Sequence, residues 1–176
     1  MAWIRADNGK GEFGRKFQDE LISGGIEFEP CPLYKHSYNG VVERAIYTVD
    51  CKTRSLLFEG NIPVELWCYA VEHSVWLKNR IPTSALPFDE VEHNAITPYE
   101  VYTQRVPDLK NLAVFRCHAN PINTLEKHPK KYESRMKPDY VFLGLKGSSQ
   151  FKLMNLYTQA IELFGDTEMN EYRFPY

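Results

Sequence analysis

Two carboxylates stand out by their surroundings and by the distance between them. Asp7 opens an Asp-Asn-Gly turn directly after Trp3-Ile4-Arg5, a short run that reads as the end of a strand. Acids at the C-terminal tips of strands are where open α/β sheets keep their ligand sites. Glu43 lies in Asn39-Gly40-Val41-Val42-Glu43-Arg44, near the start of a long helical pattern, with 35 residues between the two acids. Those residues read as one helix, one strand and one loop, so the chain goes out and returns to the same sheet edge. Carboxylates placed in this way can share a divalent cation, and Mg²⁺ takes only a few protein oxygens beside its waters. Two ions so held can clamp the attacking and leaving oxygens of a phosphodiester. Each residue alone has a plainer reading. Asp7 is a turn former, and Glu43 is an exposed helix carboxylate.

The elements that must carry these acids follow from periodicity. Gly11 to Ser23 reads as a helix with Phe13, Phe17 and Leu21 at steps of four, stopped by Gly24-Gly25. Ile26, Phe28 and Cys31 suit a second strand, closed by Pro30 and Pro32, and Leu33 to Tyr38 reads as a polar loop. From Asn39 a long helix follows, with Val42, Ile46, Val49, Thr53 and Leu56 on one face. Gly60-Asn61 ends it, and Pro63 suits the first turn of the next helix, which runs to about Arg80. Its expected buried side is Trp67, Ala70, Val71, Ser74 and Leu77. Pro82 to Asn94 reads as a linker. Thr97-Pro98-Tyr99-Glu100 is a capping box with proline at the first helical position. After Pro107 the pattern turns to short strands: Leu112 to Phe115, Tyr140 to Leu143, Phe151 to Met154 and Ala160 to Phe164.

The totals bound the class. The chain has 176 residues, 43% hydrophobic and 14% aromatic, enough to build a core. No apolar run reaches the length of a membrane span, and the N-terminus lacks a secretory pattern. The four cysteines, Cys31, Cys51, Cys68 and Cys117, form no C-x-x-C pair. They read as reduced thiols of an intracellular protein, most simply as small core residues. The formal charge of −2 hides an asymmetry. Residues 126–152 carry Lys127, Lys130, Lys131, Arg135, Lys137, Lys146 and Lys152 against Glu126, Glu133 and Asp139. Such a stretch can follow phosphates or be a solvated loop.

The ordered fragments RADNGKGEF (Arg5 to Phe13), NGVVER (Asn39 to Arg44), PVELW (Pro63 to Trp67) and KNRIP (Lys78 to Pro82) carry a resemblance. So do TPYE (Thr97 to Glu100), LAVFRC (Leu112 to Cys117) and VFLG (Val141 to Gly144). Together they resemble the retroviral-type integrase core of copia-type LTR retrotransposon Pol polyproteins. The resemblance implies an α/β fold: a partial, helix-rich ribonuclease-H-like core over 1–82, a linker with a short helix over 83–107, and a small all-β Src-homology-3-like barrel over 108–176. It also implies three acids, Asp, Asp and Glu, of which Asp7 matches the second and Glu43 the third. The first acid and the leading strands are expected upstream of Met1.

From the resemblance, Asp7 and Glu43 are the expected catalytic and metal-binding residues, with Mg²⁺ or Mn²⁺ as cofactor in the intact family. The implied activity is metal-dependent processing and strand transfer of DNA ends, expected to be lost in this chain alone without the first Asp. Arg44, Tyr47, Lys127, Lys130 and Lys131 are the candidate nucleic-acid contacts. The family often has a basic residue where Tyr47 stands, and a tyrosine there can stack on a base. The implied partners are DNA, a second copy of the chain or an upstream integrase segment, with no membrane and a nuclear location. The alternatives are a retained non-catalytic module that binds nucleic acid or protein, and a decayed element without function.

Overall fold

The computed structural model describes residues 2–6, 14–30, 40–60, 63–86, 88–89, 94–122 and 136–175. The elements are β1 (Ala2–Ala6), α1 (Arg15–Ser23), β2 (Ile26–Pro30), α2 (Gly40–Gly60), α3 (Trp67–Arg80), β3 (Phe88–Asp89), β4 (Asn94–Ala95) and α4 (Pro98–Thr103). Then come β5 (His118–Pro121), β6 (Tyr140–Lys146), β7 (Gln150–Asn155), β8 (Ile161–Phe164) and β9 (Thr167–Asn170). By its contacts the chain forms two compact units, Met1–Thr48 and Val49–Tyr176.

The first unit is a β-α-β crossover followed by the start of α2. β1 and β2 pair in parallel, from Ala2 opposite Ile26 to Ala6 opposite Pro30. Parallel neighbours need a crossover, and α1 supplies it. Leu21 is the buried residue of α1 and Phe17 is half-buried; Phe13 and Cys31 lie outside the described residues. The helix stops where the Gly24 and Gly25 N–H groups donate to the carbonyls of Glu20 and Ile22. Gly25 has a φ of +70°, which a side chain would resist. Apolar cover in this unit is thin: Trp3 is 58% exposed, Val42 54% and Ile46 55%.

The second unit holds a five-stranded antiparallel sheet in the order β8-β7-β6-β5-β9. The fold is therefore mixed α/β, with helices leading and an antiparallel sheet following. β6 is central and buried from Tyr140 to Leu145, which explains why its sequence is continuously apolar rather than alternating. A bulge between Phe142 and Gly144 changes the phase of the strand. Before it, Tyr140 and Phe142 join one core layer with Cys117, Phe151 and Leu153, while Val141 and Leu143 join the other with Ala70, Phe115 and Met154. After it, Leu145 falls into the first layer. Leu56 and Leu57 of α2 pack against the second layer.

α3 reaches both layers, through Ala70 and Trp76. The Trp76 indole N–H donates to the Gly147 carbonyl at 2.8 Å. The Arg80 guanidinium stacks on Trp76 at 3.9 Å and on Tyr99 at 4.5 Å. The capping box of α4 forms as expected. The Thr97 hydroxyl accepts from the Glu100 N–H at 3.2 Å, and the Glu100 carboxylate accepts from the Thr97 N–H at 2.7 Å.

Four expectations are corrected. Leu112 to Phe115 is not a strand: Cys117 N–H donates to the Val114 carbonyl, Arg116 takes a φ of +73°, and pairing starts at His118. β9, short and polar, was not expected at all. Trp67 is more than half exposed, whereas His73 and Trp76 are buried, because the helical phase follows the sheet beneath α3. Within the stretch read as a linker, β3 and β4 form a short antiparallel ladder. The cysteine expectation holds at Cys117, which is fully buried, but not at Cys68, which is exposed, and Cys51 is half-buried. Burial, foremost, and then Glu171 push the Cys117 thiol up to about 12.

Amide hydrogen exchange on the whole chain should rank the two units. β6 and β7 should exchange slowest, and β1 and β2 orders of magnitude faster, since a two-stranded sheet is marginal and large exposed apolar groups contribute little burial. Equal protection across both sheets would contradict this. A Gly144→Ala substitution should destabilise by about 1–3 kcal/mol in urea titrations. Gly144 has a φ of +130°, and an added Cβ would lie 3.2 Å from His73 Nδ1. An unchanged midpoint would show that the bulge tolerates a side chain.

Candidate functional site

Asp7 lies outside the described residues, and only its chain position is fixed: it follows Ala6, the last residue of β1. The strands leading to that end are held level. The Arg5 guanidinium donates to the Glu29 carboxylate at 2.9 and 3.1 Å, joining β1 to β2. Arg5 also lies over the Trp3 ring at 5.1 Å.

Glu43 is placed by α2. It sits in the first helical turn and is exposed. There the positive end of the helix dipole favours a carboxylate. Arg44 and Tyr47 follow on the same exposed part of the helix, Tyr47 at the i+4 position from Glu43. Thr48 donates its hydroxyl to the Arg44 carbonyl at 2.8 Å, closing that turn. β1 and this part of α2 fall within one compact unit. Among the described residues, no group of three His, Cys, Asp or Glu side chains is arranged to hold a metal ion.

Lys127, Lys130 and Lys131 also lie outside the described residues. The rest of the basic stretch is partly committed. Lys152 on β7 pairs with Glu72 on α3 and lies over the Tyr69 ring at 5.5 Å. Its charge therefore helps dock a helix rather than facing solvent freely. Lys146 remains exposed at the end of β6. An open groove beside β9 is lined by Asn120, Glu168, Met169, Asn170, Glu171 and Tyr172. Its two carboxylates oppose phosphate binding.

Two buried polar sites in the second unit escaped the sequence reading. His118 lies 3.6 Å from the Asp139 carboxylate, which accepts from the Tyr157 hydroxyl at 3.2 Å. His73 is buried against Phe115, Trp76 and Phe142. Neither has a sequence signature. They are buried by sheet register and helix phase, which no local motif reports. Thr53 and Ser74 also bond to each other at 3.1 Å, which lets α2 and α3 approach with their polar groups satisfied.

No family model matches the chain. The retrovirus-related Pol polyprotein from transposon TNT 1-94 of Nicotiana tabacum is 33% identical over 116 residues, which is 66% of this chain. The retrovirus-related Pol polyproteins from transposons RE2 and RE1 of Arabidopsis thaliana are each 27% identical, over 98% and 97% of this chain. The chain is homologous to a segment of retrovirus-related Pol polyproteins. It spans 8% of the tobacco polyprotein and 11% of each Arabidopsis one. Among solved structures, a simian T-cell lymphotropic virus intasome in complex with PP2A regulatory subunit B56 gamma aligns with 99% of this chain and 59% of its own. That alignment has a TM-score of 0.46 at 16% identity, too slight to bear on function. The Pol resemblance first carried by RADNGKGEF, NGVVER and LAVFRC thus returns in whole-chain comparison. No helix among the described residues is long and apolar enough to cross a membrane.

Proposed function

We propose that this Pol segment derives from the integrase region, and that Asp7 and Glu43 are two of three carboxylates of a divalent-cation site for DNA end processing and strand transfer. The observation that carries the reading is the conjunction of Pol homology along nearly the whole chain with a β-α-β crossover, whose first strand ends at the residue before Asp7, and a following helix that carries Glu43. Within the described residues the donor chemistry fits: Glu43 is an exposed carboxylate in a helical first turn, a hard oxygen ligand of the kind Mg²⁺ or Mn²⁺ takes. When bound, such an ion supplies Lewis-acid activation of a phosphodiester. Arg44, the next residue, and Tyr47, one helical turn on, are the side chains best placed in sequence to meet the DNA backbone or stack on a base. Residues 108–176, which supply β5 to β9, are read as the small β-barrel module that follows the core in the family. The two-layered core of the second unit, to which Ala70 and Trp76 of α3 also belong, supports an independent unit. That same core favours a second reading, in which the segment acts only as a nucleic-acid- or protein-binding module.

The 176-residue chain alone carries two of the three acids, so it should neither cleave nor join DNA ends with Mg²⁺ or Mn²⁺. A longer Pol product that includes the upstream strand and its Asp should do so, and Asp7→Asn or Glu43→Gln should abolish its turnover. Strand transfer by the short chain, or a longer product indifferent to both substitutions, would refute the assignment.

Nucleic-acid affinity separates the basic residues. Binding of the chain to duplex DNA should be weak, independent of sequence and steeply dependent on salt. Changing Lys127, Lys130 and Lys131 together to Glu should abolish it. Lys152→Ala should leave it in place and instead cost about 1 kcal/mol of stability, since Lys152 serves Glu72. Salt-insensitive binding, or affinity lost at Lys152 and kept in the triple variant, would reverse these roles.

A further inference from the structure

His73 is the one buried histidine of α3, at 3% exposure, and nothing in the proposed cation chemistry uses it. It fills a slot between the helix and the sheet. Phe115 stacks on its ring at 5.1 Å, Trp76 lies parallel at 6.3 Å, and Phe142 meets it edge-on at 5.9 Å. Its fourth neighbour is Gly144, at the β6 bulge, where any Cβ would come within 3.2 Å of Nδ1. Nδ1 is buried with no hydrogen-bond partner. The bulge thus receives an imidazole and offers it no acceptor.

We propose that His73 is an acid-released latch, which docks α3 on the sheet while neutral and frees the helix when protonated. An imidazolium has two N–H donors and a charge to solvate; Nδ1 has no acceptor here, and three aromatic rings and a glycine replace the water around the charge poorly. Ring faces attract cations weakly, but removal from water outweighs that attraction here. The charged side chains on the surrounding elements are Glu72, Lys78 and Arg80 on α3, Asp50, Lys52, Arg54 and Glu59 on α2 from Val49 onward, Arg116 beside Phe115, Lys146 on β6 and Lys152 on β7. Glu72 opposes the loss of basicity, and it is itself paired with Lys152. Desolvation prevails and lowers the imidazole from 6.5 to about 4.

The direction of the effect follows by linkage. A released His73 binds its proton more tightly than a docked one, so docking is fully favoured above pH 6.5 and weakens as pH falls. The docked-to-released ratio should drop about 30-fold between pH 8 and pH 5, and about 300-fold below pH 4, where both forms are protonated. Trp76 reports the event. It is buried beside His73, whereas Trp3 and Trp67 are exposed throughout.

The test is an NMR titration of the His73 ring in the whole chain from pH 8 to pH 3.5, assigned by its loss in His73→Gln. Trp emission and β6–β7 amide signals are followed in parallel. The latch requires that His73 titrate well below 6.5. It also requires that the Trp76 emission shift to the red as His73 is protonated, while the β6–β7 amides persist. In His73→Gln the red shift should move to lower pH. Titration near 6.5, protonation without change at Trp76, simultaneous loss of the β6–β7 amides, or an unmoved transition in the variant would each overturn the proposal. If the variant does not fold, the remaining measurements on the native chain decide alone.

Discussion

The second unit depends on one close approach, that of α3 to the β6 bulge. A straight β6 would send Leu145 to the side already holding Val141 and Leu143. The extra residue at Leu143 turns Leu145 onto the layer of Phe142, Phe151 and Leu153 instead. The same irregularity leaves Gly144 at a φ of +130° with nothing but backbone facing the helix. Into that gap His73 fits, and Trp76 follows one turn-fraction on, with its N–H on the Gly147 carbonyl. Asn111 secures the same turn by donating to the Ser148 carbonyl at 3.0 Å. Bulge, helix and turn are therefore one assembly. Each member makes sense only with the other two.

The two units spend their apolar residues differently. In the sheet unit Val141, Phe142, Leu143 and Leu153 lie at 2% exposure or less, and each such side chain contributes roughly 1.5–3 kcal/mol of burial. In the first unit Trp3, Ile22, Val42 and Ile46 are more than half exposed and forgo most of that contribution. A net stability of about 5–15 kcal/mol is easily shared unequally on such terms. Parallel pairs are normally covered on both faces. Two strands and one crossover helix supply that cover only in part. The elements nearest the candidate chemistry thus belong to the less consolidated part of the chain.

Local chemistry was legible wherever it sufficed to define structure. The capping box at Thr97 and Glu100, the Gly24-Gly25 stop and the end of α2 at Gly60 rest on contacts within a few residues, and the strands around Val141, Leu153 and Leu163 pair with their neighbours in sequence. What failed was decided at a distance. Leu112 to Phe115 has the composition of a strand, but the backbone turns at Arg116 before any partner strand is reached. β9 has almost no apolar signal, and only pairing with His118 to Pro121 makes it a strand. His73 and Trp76 were passed over because a helical wheel ranks positions by hydrophobicity, and the bulge they fit is seventy residues away. Of the candidate site, the Asp7 and Glu43 pair was suggested by spacing and flanks. The structure supplies the level strand ends before Asp7 and the exposed first turn that presents Glu43.

Charge then constrains where phosphate can be met. The groove beside β9 carries Glu168 and Glu171, and the Glu171 carboxylate already accepts from the Val114 N–H at 2.9 Å. Lys152, the cation that sequence alone would assign to a basic surface, is held by Glu72 and lies over the Tyr69 ring. Neither feature attracts a polyanion. At α2 the opposite holds: Arg44 and Tyr47 are exposed on the helix, at the position after Glu43 and one turn beyond it. A cation held by carboxylates would reverse the local sign at that turn, converting an acid that repels phosphate into part of a site that draws it. Under the proposed function, metal-dependent attraction of DNA would belong to the helix that bears Glu43, and metal-independent attraction to lysines of the 126–152 stretch other than Lys152.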